Sequence, residues 1–466
     1  MVDSPAISQI GPLASLASPA AFRLKRYNII ICHLTMKVAE TFNEFLDNLT
    51  IQNAETISLR YGELTAALNK KFRETESKTA NSLQVGSFGR KTGINGLSDL
   101  DMLYIMPQGK WAAYEDGGQL RLLQHTKDAI KARYPSTVVK VDRLVVTVTY
   151  TNFHVEVQPV FEQVDGSFKY PDTKGESSWK ITKPREEMAE ISAKDTDKNN
   201  NLKRLCKMAR AWRNKHGLEM GGLLVDTLAY NFLCQTTEYD SRSFLYYDWL
   251  SRDFFHYLWK LPEQDRYAAP GSRQWVRVKK KFQRKARKAY ALSVEAINAE
   301  KQKNANEKWR KVYGRPFPLP KEAMEESITK AASTWRDTEE FIEDKYPVDI
   351  RYTLKLDCEV KQSGYRINLL RDMLAKKIPL LASKSLEFWV NKITVSEPYT
   401  IKWKVLNRGE VAKRRDCVRG QIWPDGGRMR KTETTNFKGD HIVECYAIKD
   451  GVVVAKDRIH VPIEDR

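Results

Sequence analysis

Asp99 and Asp101 stand two residues apart in an otherwise apolar stretch, where Leu100, Met102, Leu103, Tyr104 and Ile105 fill the remaining places. On a β-strand alternate side chains share a face, so the two carboxylates point one way and Leu100 and Met102 the other. Carboxylates that close repel each other and are costly to keep ionised without a cation between them. Hard oxygen donors of this kind suit Mg²⁺, which keeps part of its water shell and takes its remaining ligands from substrate phosphates. Just upstream, Gly86-Ser87-Phe88-Gly89-Arg90 reads as a turn that offers backbone N–H groups and a hydroxyl to an anion. Together these parts describe a site for a nucleoside triphosphate.

Two-metal nucleotidyl transfer needs a third carboxylate, which holds the second ion and assists loss of a proton from the attacking hydroxyl. The segment His154-Val155-Glu156-Val157-Gln158 offers Glu156 on a polar strand face with His154 and Gln158. A mid-strand acid in apolar surroundings needs a partner, and a metal would serve. Taken alone, Glu156 also reads as a solvent-facing edge residue. Gly-Ser turns and Asp-x-Asp pairs are each common by chance; their order along the chain is what carries the signal. His154 shares the face of Glu156, but the two-metal chemistry needs no histidine, and a hydrogen-bonded strand histidine is the simpler reading.

The elements that must position these residues are α+β. Residues 1–35, rich in Ser, Ala and Pro, show no periodicity and are expected to be poorly ordered; Met36, where helical periodicity begins, is an alternative start to Met1. Val38, Phe42, Phe45 and Leu46 predict one helix to about Asn48, and Ile57 to Phe72 a second. Strands are expected at Asp99–Ile105, Val138–Val141, Leu144–Tyr150 and His154–Val160, with a helix over Gln119–Arg133. Leu202, Leu205, Met208, Ala209 and Trp212 predict a helix, as does Leu223–Phe232, and a single helix is expected from Phe282 to about Trp309. A charged helical linker is expected around Lys321–Glu343. Beyond it, Ile401, Trp403 and Val405 alternate with lysines, turn signals recur at Asn407-Arg408-Gly409 and Pro424-Asp425-Gly426-Gly427, and Asp450-Gly451 joins a hairpin. The resulting division is 1–35, a core at 36–198, a helical lobe and linker at 199–344, and a mainly β domain at 345–466.

A chain of 466 residues exceeds what one core supports. Its 78 Lys and Arg against 59 Asp and Glu give +19, which favours polyanionic partners without choosing among nucleotides, nucleic acid and an anionic membrane surface. Six scattered cysteines show neither zinc spacing nor a disulfide framework, and suit reduced thiols in a cytoplasm. The longest apolar run, Ile29–Cys32, is too short for a bilayer, so no membrane partner is expected. No secretory leader is expected either, because Arg23, Lys25 and Arg26 follow the apolar stretch.

GSFGRKTGINGLSDLDMLYIMP with HVEVQPVF downstream resembles the nucleotidyltransferase core of the bacterial cGAS/DncV-like enzymes, the CD-NTase or SMODS family. The resemblance continues through Trp179–Pro184, LKRLCKMARAWRN, APGS and WRKVYGRPFP. From WRDTEEFIED to the end, with YTIKWKVLNRGE and CVRGQI, the chain is similar to the AGS-C sensor domain of such enzymes. The resemblance implies a polymerase β-like core sheet with a helical lobe, and makes Gly86 and Ser87 triphosphate contacts. It makes Asp99, Asp101 and Glu156 the ligands of two Mg²⁺ ions, with Mn²⁺ able to substitute; Glu156 stands where relatives often carry Asp. Lys207 and Arg210, on the helix before Trp212, become phosphate-binding residues, Arg210 where Lys is common. A solvated basic face is the other reading of that pair. The family implies joining of nucleoside triphosphates into a cyclic or linear oligonucleotide signal in anti-phage defence (CBASS). A product-activated effector protein and an activating ligand at the C-terminal domain would be its partners. A terminal transferase acting on RNA or protein, and a catalytically silent nucleotide sensor, are the competing readings.

Among the remaining features, the basic run Lys279–Lys288 is read as an amphipathic helix whose basic face would bind nucleic acid or line the product groove, or is simply solvated, the preferred reading since no aromatic ladder accompanies it. Arg419, His441 and Glu444 are secondary candidates for a nucleotide contact. Trp403 and Trp423 read as core or interface aromatics.

Overall fold

The two aspartates lie on a strand flanked by the strand of Glu156. The structure, a computed structural model, describes residues 38–96, 99–150, 153–299, 304–319, 339–362, 367–407, 410–414, 419–435 and 438–464. The N-terminal extension and its Met36 boundary, the linker over 321–338, and Arg408-Gly409 lie outside the described residues.

Helix α1 (38–48) leads into α2 (Ala54–Arg73). Strand β1 (Ser82–Gln84) follows, then the single turn α3 (Gly86–Gly89) and strand β2 (Asp99–Ile105). Next come helix α4 (Gln119–Arg133) and strands β3 (Val138–Val141), β4 (Val146–Thr149), β5 (His154–Glu162), β6 (Phe168–Asp172) and β7 (Ser178–Thr182). The sheet runs β1-β2-β5-β4-β3, with β6 on β5 and β7 on β6. Only β2 and β5 run parallel within it. Leu100, Met102, Tyr104, Val155 and Val157 bury one face against α2 and α4, each contributing roughly 1.5–3 kcal/mol. That burial fixes the register, because a slip of one residue would turn the acids into the core.

The helical lobe comprises α5 (Pro184–Asp197), α6 (Asn201–Lys215), α7 (Gly222–Cys234), α8 (Tyr247–Lys260), α9 (Gln283–Asn298) and α10 (Ala305–Tyr313), with a small hairpin of β8 (Arg266–Ala268) and β9 (Trp275–Arg277). The single helix expected from Phe282 to Trp309 is two, α9 and α10. Phe282 is buried ahead of α9, and Trp309 and Tyr313 of α10 turn inward onto Phe42, Phe45 and Phe317. The expected strand Leu144–Tyr150 shortens to β4. Helices α5 and α8 and strands β1 and β6–β9 were not anticipated.

The last region packs two antiparallel layers face to face. One holds β10 (Leu354–Lys361), β11 (Asn368–Leu369), β13 (Ser385–Ile393) and β16 (Arg430–Thr434). The other holds β12 (Leu380–Leu381), β14 (Thr400–Leu406), β15 (Ile422–Pro424), β17 (Gly439–Lys449) and β18 (Val452–Glu464), with only β12 parallel to its neighbour. Phe388 and Cys358 of one layer meet Trp403, Cys445 and Val454 of the other. Trp403 is core, its indole N–H donating to Asp425 at 2.8 Å, whereas Trp423 is 60% exposed. The expected hairpin is β17–β18, turning at Asp450-Gly451. No helix among the described residues is long and apolar enough to cross a membrane.

Candidate active site

Parallel pairing of β2 and β5 places Asp99 beside His154 and Asp101 beside Glu156. Paired residues share a sheet face, so these four side chains point the same way, although the ligand atoms that converge include His154 and not the expected Asp101. Ligand atoms of Asp99, His154 and Glu156 lie within 4.8 Å of one another. Nε2 of His154 is 2.5 Å from Oδ1 of Asp99, which ties down the histidine on the strand. The carboxylate of Asp101 lies under the turn upstream. A Cβ on Gly86 would stand 1.7 Å from Oδ2 of Asp101, and Gly86 has φ +64°, a left-handed conformation costly for other residues.

Burial dominates the electrostatics of Asp101 and Glu156, while Asp99 has the Arg351 guanidinium as its ion-pair partner. Burial, then Asp101, pushes the Glu156 carboxyl up to about 7. Burial likewise raises Asp101, with Arg90 pulling against it. Carboxylates so held favour a proton or a cation, and hard oxygen donors fit Mg²⁺. The residues therefore fit the metal that their pattern suggests.

The turn itself is clamped. Backbone N–H groups of Thr92 and Gly93 both donate to the carbonyl of Ser87. Arg90, the last residue of the motif, donates from Nε to Asp226 on α7 at 2.9 Å, and its Nη1 lies 3.5 Å from Glu187 on α5. Arg210 on α6 grips the same Asp226 from the other side with two bonds, at 2.5 and 2.9 Å. Against the upward push of burial, Arg210 and Arg90 hold Asp226 down at about 2. Asp226 has a signal in sequence: it is the lone acid in an apolar helix, Leu223 to Phe232, and a buried charge must be paired.

A cavity of about 570 Å³ opens over these groups, its lining including Gly86, Ser87, Asp99, Asp101 and Glu156 together with Arg213, Lys279, Asp349 and Arg351. Small-molecule sites span about 300–1,000 Å³. A lining that holds both acids and cations suits a metal-bound polyphosphate.

Residues 36–195 match the family of the Second Messenger Oligonucleotide or Dinucleotide Synthetase (SMODS) domain, and residues 336–464 match the Adenylyl/Guanylyl and SMODS C-terminal sensor domain. The chain belongs to the cGAS/DncV-like nucleotidyltransferases. Solved structures similar to this CD-NTase include CdnC of E. coli MS115-1 in complex with HORMA-deltaN, at 15% identity over 60% of this chain and 98% of that one, TM-score 0.45. DncV cyclic AMP-GMP synthase of Vibrio cholerae, in complex with a linear intermediate, shares 14% identity over 65% and 92%, TM-score 0.41. CdnG of Bradyrhizobium diazoefficiens in complex with GTP shares 10% over 64% and 100%, TM-score 0.44. No curated protein sequence matches the chain.

The CD-NTase departs from expectation on α6. Lys207 and Arg210 do not meet at one anion. Lys207 lines a second cavity, about 640 Å³, with Phe88 and Lys91, and burial lowers its pKa. Arg210 borders the first cavity, but its guanidinium is spent on Asp226 and the carbonyl of Gly222. At 3% exposure it is no solvated face either. The sequence reading missed Arg90, Asp226, Arg213 and Lys279 at this site. In the C-terminal domain Arg419 pairs with Glu433, and Glu444 faces the buried Lys404. His441 is buried there.

The approach of Gly86 to Asp101 yields a direct expectation. Gly86→Ala drives a methyl group into the carboxylate, displacing it by an ångström or more, and lowers the turnover of the CD-NTase about 100-fold. Steady-state rates read beside circular dichroism check it; a wild-type rate would show that Asp101 is not held from above.

Proposed function

We propose that the CD-NTase joins ribonucleoside triphosphates, without a template and with Mg²⁺, into a cyclic di- or oligonucleotide signal. The carrying observation is the β2–β5 register, which sets Glu156 beside Asp101, whose carboxylate lies beneath Gly86, and Asp99 two residues away on the same strand face. Asp99, Asp101 and Glu156 would hold two Mg²⁺ ions, or Mn²⁺ in their place, which when bound offset the charge on the phosphates and on the attacking oxygen. The first amides of α3 have no partner within their turn, and with the Ser87 hydroxyl they suit the triphosphate. Lys279 and Arg213, in the same lining, add positive potential. Glu156, nearest the attacking ribose hydroxyl in this reading, would assist the loss of its proton. The oxygen of that hydroxyl attacks the α-phosphorus, the bond to the β-phosphate oxygen breaks, and pyrophosphate leaves.

By family, the setting is anti-phage signalling, with a separate effector protein activated by the product and a ligand of the C-terminal domain as the trigger. The purified full chain, incubated with labelled ATP, GTP, CTP, UTP and Mg²⁺, is expected to yield a small phosphatase-resistant product identifiable by mass spectrometry. Label found only on added RNA or protein would instead establish a terminal transferase.

A further inference from the structure

The C-terminal region reaches into the catalytic cavity. Residues 347–353, ahead of β10, run beside β18. Asp349 N–H donates to the carbonyl of Val453, Arg351 and Tyr352 N–H to that of Val454, and Val453 N–H to that of Pro347. Val348 and Val453 form a parallel bridge. The segment is thus an extension of the C-terminal sheet, yet its side chains lie in the active site. Arg351 forms an ion pair with Asp99 and is braced by Asp349, whose Oδ2 accepts from its Nε and Nη2 at 2.9 Å each. Asp349 in turn pairs with Arg213, one of the cations in the cavity lining.

The lobe holds the segment from the other side. Asn214 donates to the carbonyl of Val348 at 2.8 Å and accepts from Ile350 N–H at 3.3 Å, and Thr353 donates to Glu219 at 2.5 Å. Gly96, with φ +81°, lies against the same segment, and a Cβ there would be in ordinary contact with Val348 N at 3.4 Å.

We propose that residues 347–353 are an intrachain latch that keeps the nucleotidyltransferase off, with the Arg351 guanidinium standing in for a metal cation at Asp99 and Asp349 occupying Arg213. This rests on the metal-site reading above. A guanidinium and a divalent cation cannot share one carboxylate without strong repulsion, so metal loading and the latched arrangement exclude each other. Arg213 is likewise neutralised and unavailable to phosphate while Asp349 holds it. Because the segment is hydrogen-bonded to β18, a ligand that prefers the C-terminal domain with this strand displaced releases both residues together. Its differential affinity for the released state sets how far the enzyme switches on.

The test is Mn²⁺ affinity of the full chain, measured by electron paramagnetic resonance without nucleotide, for wild type, Arg351→Ala and Asn214→Ala. A latched site lowers apparent affinity by the fraction of molecules that are open. Both variants are therefore expected to bind Mn²⁺ roughly tenfold more tightly or better, and to make product without an activating ligand. Asn214→Ala is the decisive arm, since it loosens the segment and removes no charge, although it also takes away the Oδ1 that accepts from Arg213 Nε and Nη2. Tighter binding by Arg351→Ala alone would reduce the effect to lost repulsion and overturn the latch. Equal affinity in all three would overturn it while leaving the metal site intact. No Mn²⁺ binding by any of them, unaltered by Asp99→Asn, would overturn the metal reading and the latch with it.

Discussion

Asp101→Asn is expected to abolish nucleotide condensation, by about 10³-fold or more, and at the same time to make the metal-free protein harder to melt at pH 8. Both effects have one origin. Asp101 is desolvated and shares its face with Glu156, so its ionised form is unfavourable until a cation arrives. A neutral amide of the same shape removes that cost and the metal ligand together. A gain of about 1 kcal/mol would appear as about 2–4 °C in Tm. Mg²⁺ should raise the Tm of wild type by stabilising the folded state it binds, and should leave Asp101→Asn unmoved.

Glu156 gives this experiment a pH axis. Its carboxyl lies at about 7 in the folded chain, against an ordinary value of 4.5. Between those values the folded state binds more protons than the unfolded one, so metal-free stability falls as pH rises through the window and levels off above it. Mg²⁺ displaces that proton, so its stabilising shift grows from pH 5.5 to pH 8. A shift independent of pH, or larger in acid, would contradict the placement of Glu156 in the metal site.

Asp226→Ala is expected to cost about 3–5 kcal/mol of stability, read from guanidinium unfolding, because it leaves Arg90 and Arg210 buried without their shared counter-ion. The acid is fully buried, and Thr92 also donates to it at 3.0 Å. Activity should fall as well, since Arg90 closes the Gly-Ser motif. Unfolding at the wild-type midpoint with an unchanged slope would show that the pair contributes nothing.

The local chemistry was legible because strand periodicity is local. Asp99–Ile105 and Gln119–Arg133 have the bounds their patterns predict, and the start of β5 follows from alternation about Glu156. Helix α8 escaped because Phe254, Phe255, Tyr257, Leu258 and Trp259 crowd one stretch and mask the helical period. The break between α9 and α10 depends on Trp309 turning back onto Phe42, a contact between residues remote in sequence. The same limit explains the site residues that were missed. Arg90 meets Asp226, and Arg351 meets Asp99, only after the whole chain has folded. Lys207 and Arg210 were joined because helical spacing puts them on neighbouring turns, but three residues on an α-helix span enough arc for one to face a cavity behind the turn and the other a buried acid.

The Arg90–Asp226–Arg210 cluster also bears on how the two halves of the enzyme can move. It rivets the strand-bearing half to the helical half at the floor of the cavity, so a hinge between the halves would have to tear a desolvated ion pair apart. The β8–β9 hairpin, with its exposed Trp275, and the segment carrying Arg351 line the same cavity.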